Sequence, residues 1–310
     1  MSKVVACLLA LAVACGKSGS DSGSSSGSKD RPKVAVSIFP LYDLVRRVAG
    51  DRVEVLLVLP PGRSEHEYDP TPKDIARLDG AKLAIAIGLD MDTWVETIVK
   101  GAGGAPIFHV GDKIKTMPIA VEPIGEAEAH AGEAPDSDDK PGAPDPHVWL
   151  DPERMKLVVD SIAEQLTAID PEGKTAFAAA ADKLKGELQT LDAKIAARAK
   201  TWSKTTIVTF HGSMSYYAKH YGLRIAAVVE PLAGKEPTAA YIAEVLGAIK
   251  AGHAAALFSE PQFDKAPAET IAKEAGVPLG ELDPVGGVTG RDSYEALLLW
   301  NTDQLDKVLK

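Results

Sequence analysis

The chain has 310 residues, a length typical of two domains or one large α/β unit, which excludes a small disulfide-stapled module. Hydrophobic residues make up 45% of it and charged residues 25%, a composition that excludes a wholly disordered protein. Asp and Glu outnumber Lys and Arg by 44 to 34, and the net charge of −10 repels nucleic-acid phosphates. We therefore expect no nucleic-acid partner, and the charge favours a cationic ligand.

The first 14 residues have the pattern of a secretory signal peptide, because Lys3 precedes an apolar run that is too short for a permanent membrane span. Cys15 follows at once. Residues 16–30 contain seven Ser and four Gly, which predicts a flexible tether that extends to residue 32. The body has no cysteine, so disulfides and thiolate metal sites are excluded there.

This order of signal, single cysteine and tether resembles that of bacterial lipoproteins. The resemblance implies that Cys15 is lipidated and anchors the protein to a membrane, in the periplasm or on the outer cell surface. The alternative is ordinary secretion with an unpaired cysteine.

Residues 33–169 are predicted to form an N-terminal lobe. Short β-rich runs end at Gly, Pro or Asp and alternate with helical patterns, as in a parallel α/β sheet. Strands are expected at 34–39, 53–59, 83–87 and 107–110, and helices at 41–48, 72–78 and 93–100.

An acidic segment at 121–146 interrupts this pattern. It contains eight acidic residues and one Lys, with few periodic apolar residues, and is predicted to be a mobile surface loop. His130 lies in its middle, where it either recruits metal or is simply solvated.

Residues 170–201 are predicted to be a long helix between the halves. Asp170 caps it, Pro171 occupies the first turn, and the absence of a later proline predicts a rigid rod of ~42 Å. It either links two lobes or is a packing element. Residues 202–310 then repeat the strand and helix pattern as a C-terminal lobe, with strands expected at 206–210, 224–229, 254–258 and 279–282, and helices at 213–221, 238–250, 267–274 and from 293 onward.

Four polar side chains stand where a ligand site is expected. His66, His211 and Asp283 follow predicted strands, and His147 lies at the end of the acidic segment. Ligands of open α/β sheets bind beyond the carboxyl ends of the strands, so these side chains could converge. Three imidazoles and a carboxylate suit Zn²⁺, whereas strand capping or burial as core histidines is the alternative.

Five runs resemble the metal-binding solute-binding proteins of ABC importers, the ZnuA/TroA type (cluster A-I). They are SIFPLYDLVRRVAGDRVEV, LPPGRSEHEYDPTPKDIARL, DPHVWLDPERM, FHGSMSYYAKHYGL and FSEPQFDKAPAETIAKEAGV, and the similarity covers 33–310. The resemblance implies an α/β fold of two Rossmann-like (βα)₄ lobes with parallel sheets, joined by one long rigid helix, with a metal in the cleft between them.

The family's ligands correspond to His66, His147, His211 and Asp283. His211 stands where manganese-binding members tend to carry Glu, which favours zinc over manganese. Glu65 is either an alternate ligand or solvated, and Glu260 either orients an imidazole or caps a helix.

The resemblance implies a monomeric receptor that captures Zn²⁺ and delivers it to a membrane permease and its ATPase, without enzymatic activity. A manganese- or iron-binding member of the same family, or a surface adhesin, is the alternative. A zinc hydrolase is disfavoured because the run at His66 is His-Glu-Tyr-Asp-Pro, which lacks the second His of the HExxH motif.

Overall fold

Two parallel four-stranded sheets organise the protein in the computed structural model, which describes residues 31–119, 142–231 and 236–310. The strand orders are β2-β1-β3-β4 and β6-β5-β7-β8. The strands are β1 (Lys33–Val36), β2 (Glu54–Leu57), β3 (Ala81–Ala86), β4 (Ile107–His109), β5 (Thr206–Thr209), β6 (Arg224–Val228), β7 (Leu257–Ser259) and β8 (Leu279–Glu281). The predicted pair of parallel α/β sheets is confirmed.

The central strands are apolar because helices cover both faces of each sheet. In β1, Val34 and Val36 are fully buried, and Val34 aligns with Val55 of β2 and Leu83 of β3. The strand order reverses direction between β1 and β3, and again between β5 and β7. Such switch points create crevices at the carboxyl ends of the strands.

The predicted helices are present, and some of them begin at a residue whose side chain caps the first turn. Thr71 accepts a hydrogen bond from the Asp74 backbone while the Asp74 carboxylate accepts one from the Thr71 backbone, and Pro72 fills the first turn. The Ser293 side chain caps the last helix by accepting a hydrogen bond from the Ala296 N–H. These helices are α1 (Phe39–Ala49), α2 (Pro72–Arg77), α3 (Trp94–Gly101), α6 (Ser215–Tyr221), α7 (Ala239–Gly252), α8 (Ala266–Ala275) and α9 (Tyr294–Leu309).

The long connecting helix α5 (Lys174–Ala199) follows a short 3₁₀ turn at Pro171–Gly173. It packs against α1 of the first lobe and α9 of the second, so it both joins the lobes and contributes to their core. Salt bridges join it to each side, from Arg47 of α1 to Glu187 and from Arg198 to Asp303 of α9. Its buried face repeats every three to four residues, with Phe177, Ala181, Leu184, Leu188, Leu191 and Ile195.

One helix was not predicted from the sequence, α4 (Pro152–Ile169), which packs along α5. Asp151 caps it, and Pro152 stands at its start. The same Asp-Pro-Glu signal occurs at residue 170, so the sequence did contain the evidence for this helix. Among the described helices, none is long and apolar enough to cross a membrane.

The end of the acidic segment makes backbone contacts with the chain that precedes the segment. Pro118 pairs with Pro144 in an antiparallel bridge, and the Asp145 N–H donates to the carbonyl of Met117. These two contacts tie residues 144 and 145, at the end of the predicted loop, to the segment that follows β4. Residues 120–141 with His130, and residues 1–30 with the predicted signal peptide, Cys15 and most of the tether, lie outside the described residues.

Candidate metal centre

Three connections that leave the carboxyl ends of strands carry the candidate residues. Glu65 and His66 lie between β2 and α2, His147 lies between β4 and α4, and His211 lies two residues after the end of β5. Sheet topology therefore places residues from both lobes in one cleft, as expected for a doubly wound fold.

The pair Glu65 and His66 is held by its own backbone contacts. The His66 N–H donates to Oγ of Ser64 at 3.3 Å, and Nε1 of Trp94 donates to the Glu65 carbonyl at 2.9 Å. Trp94 is the first residue of α3, so its hydrogen bond ties the backbone of Glu65 to this helix. Glu65 is fully buried, whereas His66 is partly exposed.

His147 is oriented by Asp145. One carboxylate oxygen of Asp145 accepts from the His147 backbone N–H and lies 2.9 Å from Nδ1 of the ring. The Tyr216 hydroxyl of the second lobe donates to the Asp145 carbonyl at 2.9 Å. A proton on Nδ1 shared with this carboxylate leaves the Nε2 lone pair available for a metal. Trp149 beneath it is fully buried and donates from Nε1 to the carbonyl of Pro284.

His211 has a matching carboxylate. Its Nδ1 lies 2.7 Å from Oε2 of Glu260, and its backbone N–H donates to Oε1 of the same residue. Burial lowers the pKa of His211 well below its usual value, and the neighbouring His147 lowers it further, so the ring is neutral. Burial raises the pKa of Glu260 to about 8.

The three imidazoles meet through their Nε2 atoms. The distance is 3.1 Å from His66 to His147 and 3.2 Å from His147 to His211. With Glu65, their potential ligand atoms all lie within 4.8 Å of one another, the one such group in the described ranges. Lone pairs this close repel each other, so a shared cation stabilises the arrangement. Three nitrogens and one carboxylate oxygen form a four-donor set of the kind that suits Zn²⁺.

Glu65 adds the negative charge to this group. Both of its carboxylate oxygens are buried, and neither accepts a hydrogen bond within the described part of the chain. An ionised carboxylate buried in this way is costly unless it meets a cation. Its Oε1 lies 3.9 Å from Nε2 of His211, so one divalent ion can contact both residues.

Asp283, the carboxylate that the resemblance placed among the ligands, is not in this group. Its Oδ1 accepts hydrogen bonds from Nε2 of Gln262 and from the backbone N–H groups of Val285 and Gly286. Its Oδ2 lies 3.0 Å from Nη1 of Arg291. The sequence pattern did not indicate roles for Asp145, Gln262 or Arg291. For Asp145 a signal existed, because it precedes His147 by two residues.

Comparison with known proteins places this arrangement in context. The family described as ZnuA, zinc-uptake complex component A periplasmic, matches residues 34–308. The iron ABC transporter substrate-binding lipoprotein MtsA of Streptococcus pyogenes serotype M1 is 29% identical over 313 residues, which cover 96% of this chain and 94% of that protein. The high-affinity zinc uptake system protein ZnuA of Bacillus subtilis is 29% identical over 296 residues, covering 95% and 90%. A crystal structure of ZnuA aligns with a TM-score of 0.76 at 25% identity, covering 91% of this chain and all of that one.

Proposed function

The chain belongs to the ZnuA family of metal-binding substrate-binding proteins of ABC transporters, which are not enzymes, and on that premise we propose that its cargo is Zn²⁺. We further propose that Glu65, His66, His147 and His211 bind the ion. The cargo is the finer question within the family, because one relative is named for zinc and another for iron.

The observation that carries the zinc proposal is the convergence of three imidazole nitrogens on one buried carboxylate. Imidazole nitrogens suit Zn²⁺, whereas Mn²⁺ prefers oxygen donors and octahedral coordination. Asp145 and Glu260 occupy the Nδ1 sides of His147 and His211, so the Nε2 atoms of both rings are the ones that face the proposed ion.

Four protein donors close a tetrahedral shell, as in zinc sites that hold rather than activate. A closed shell leaves no position for a reactive water, which fits a carrier. The proposed donors come from two lobes, so even a small relative movement of the lobes moves His211 away from the other three donors and provides a route for release.

We also propose that the protein works outside the cytoplasmic membrane, held by lipid on Cys15, and hands the ion to a permease. The family works with an ABC permease and its ATPase. The relative MtsA is itself named a lipoprotein, and the position of Cys15 before a Ser/Gly-rich tether supports the same anchor here.

A competition experiment tests the cargo. The purified chain is equilibrated with equal free concentrations of Zn²⁺, Mn²⁺ and Fe²⁺ under anaerobic conditions, and the retained metal is counted by native mass spectrometry. We expect one zinc per chain. Preferential retention of manganese or iron would identify the other cargo within the family and overturn the zinc proposal.

Two matched variants test the ligand set. Glu65→Gln removes the buried charge with little change in shape, and we expect it to weaken zinc binding by more than the ~10–100-fold typical of losing a ligand's hydrogen-bond partner. Asp283→Asn is the comparison, because that carboxylate already faces Arg291. A larger loss of affinity from Asp283→Asn than from Glu65→Gln would show that Asp283 is the fourth ligand.

A further inference from the structure

We propose that Arg291 and Gln262 determine the metal specificity of the site by holding Asp283 away from the bound ion. We call these two residues and the contacts they make with Asp283 the Asp283 clamp. The inference rests on the proposed function, since it concerns which donors the cargo meets.

The acceptor capacity of Asp283 is largely used. A carboxylate offers about four lone-pair sites. Oδ1 accepts from Gln262 Nε2 at 2.8 Å and from two backbone N–H groups at 3.0 and 2.9 Å, and Oδ2 faces Arg291 Nη1 at 3.0 Å. To bind a metal, the side chain would have to leave a charge-assisted contact in a buried setting, because only 1% of Asp283 is exposed.

Arg291 is itself fixed in place. Its guanidinium carbon lies 4.2 Å from the centre of the Trp300 ring, and Nη1 lies 3.4 Å from Oε1 of Glu281. The stacking on Trp300 and the contacts with the carboxylates of Glu281 and Asp283 hold the Arg291 guanidinium next to Asp283. The main chain of Asp283 is also fixed, because its N–H and C=O both bond to the side-chain amide of Asn301.

Asp283 nevertheless lies beside the metal ligands. Its neighbour Pro284 accepts a hydrogen bond from Trp149, whose ring centre is 5.2 Å from that of His147. Gln262 belongs to the turn that begins with Glu260, the residue in contact with His211. The strands β5, β7 and β8 are neighbours in a parallel sheet, so their carboxyl ends lie side by side.

The clamp thereby sets the number of oxygen donors. With Asp283 held, the ion meets three imidazoles and the carboxylate of Glu65, a donor set that suits Zn²⁺. With Asp283 released, a second carboxylate can join, and the additional oxygen and higher coordination number favour Mn²⁺ or Fe²⁺. Arg291 and Gln262 are positioning residues in this scheme, because they act on the metal through Asp283.

The test measures the ratio of zinc to manganese affinity in the full chain. Arg291→Met keeps an apolar stem against Trp300 and removes the charge, and Gln262→Ala removes the second contact with little effect on packing. Loss of a hydrogen bond to a charged group changes the equilibrium constant that depends on that bond by about tenfold or more. Here that equilibrium is the release of Asp283 toward the ion, so we expect each variant to lower the ratio of Zn²⁺ affinity to Mn²⁺ affinity by at least ~10-fold. The change should come mainly from tighter manganese binding.

The matched control combines each variant with Asp283→Asn. If the clamp acts through Asp283, the double variants regain the wild-type ratio, as a double-mutant cycle detects. Equal weakening of both metals, or a ratio that Asp283→Asn does not restore, would overturn the inference even when the wild type prefers zinc. A wild type that prefers manganese would instead overturn the proposed function. Thermal unfolding verifies that each variant is folded. If Arg291→Met does not fold, the affinity ratio of Gln262→Ala alone decides whether the Asp283 clamp sets metal specificity.

Discussion

Replacement of Asp145 by Asn tests how the protein prepares an imidazole for the ion. Asp145 is 2% exposed, and one of its oxygens contacts both the backbone N–H and Nδ1 of His147 at 2.9 Å. Asn keeps a similar shape and an acceptor oxygen but removes the charge. His147 therefore keeps a hydrogen bond but loses the charge-assisted one that fixes its proton on Nδ1.

The magnitude follows from the kind of bond that changes. A hydrogen bond to a charged group contributes about 1.5–3 kcal/mol and a neutral one about 0.5–1.5 kcal/mol. A difference of about 1–1.5 kcal/mol corresponds to a zinc dissociation constant roughly 5- to 12-fold higher for Asp145→Asn than for the wild type. Asp145→Ala, which leaves no acceptor, should reach the ~10–100-fold range typical of lost ligand support.

The assay is a competition titration of zinc against a chromophoric chelator at pH 7, with Asp92→Asn as the control. Asp92 is also a buried aspartate that accepts from two backbone N–H groups, those of Ile87 and Gly88 at 2.7 and 2.8 Å. We expect the control to lower thermal stability while zinc affinity stays unchanged. Equal zinc affinities for folded Asp145→Asn and wild type would refute the reasoning.

Three further predictions concern stability, motion and location. Hydrogen bonding to Asp151 raises the pKa of His220, so its stabilising effect is full below the unfolded pKa of ~6.5 and is lost as pH rises through the folded value. His220→Gln should therefore lower the unfolding temperature of the metal-free protein at pH 6 but much less at pH 8.5, and equal shifts would contradict this. Because α5 packs against both lobes, small-angle scattering curves with and without zinc should nearly superimpose; a large decrease in radius of gyration would show a bending rod. Cys15→Ala should move the protein from the membrane fraction to the soluble fraction, and unchanged fractionation would exclude the lipid anchor.

The sequence alone determined the strands and most helices, because these depend on local patterns. Apolar runs that end at Gly, Pro or Asp marked the strands of both sheets. The Asp-Pro-Glu run at 170–172 marked the start of the long helix to within one turn, but the predicted cap is wrong, because the Asp170 side chain caps neither the 3₁₀ turn nor α5, which begins at Lys174. The helix α4 was missed although its Asp-Pro-Glu start is as clear as the one at residue 170. The candidate histidines were also visible, His66 and His211 after predicted strands and His147 at the end of the acidic segment, since strand topology fixes which connections meet.

The tertiary structure decided how the candidate carboxylates are used. Glu65 and Asp283 are both acidic, and both lie near the ends of strands, so composition and spacing do not distinguish them. In the folded chain Asp283 meets Arg291 and Gln262, whereas Glu65 has two buried oxygens beside three imidazoles. The physical reason is that the electrostatic state of a buried carboxylate depends on its neighbours in space, and segments distant in sequence supply those neighbours.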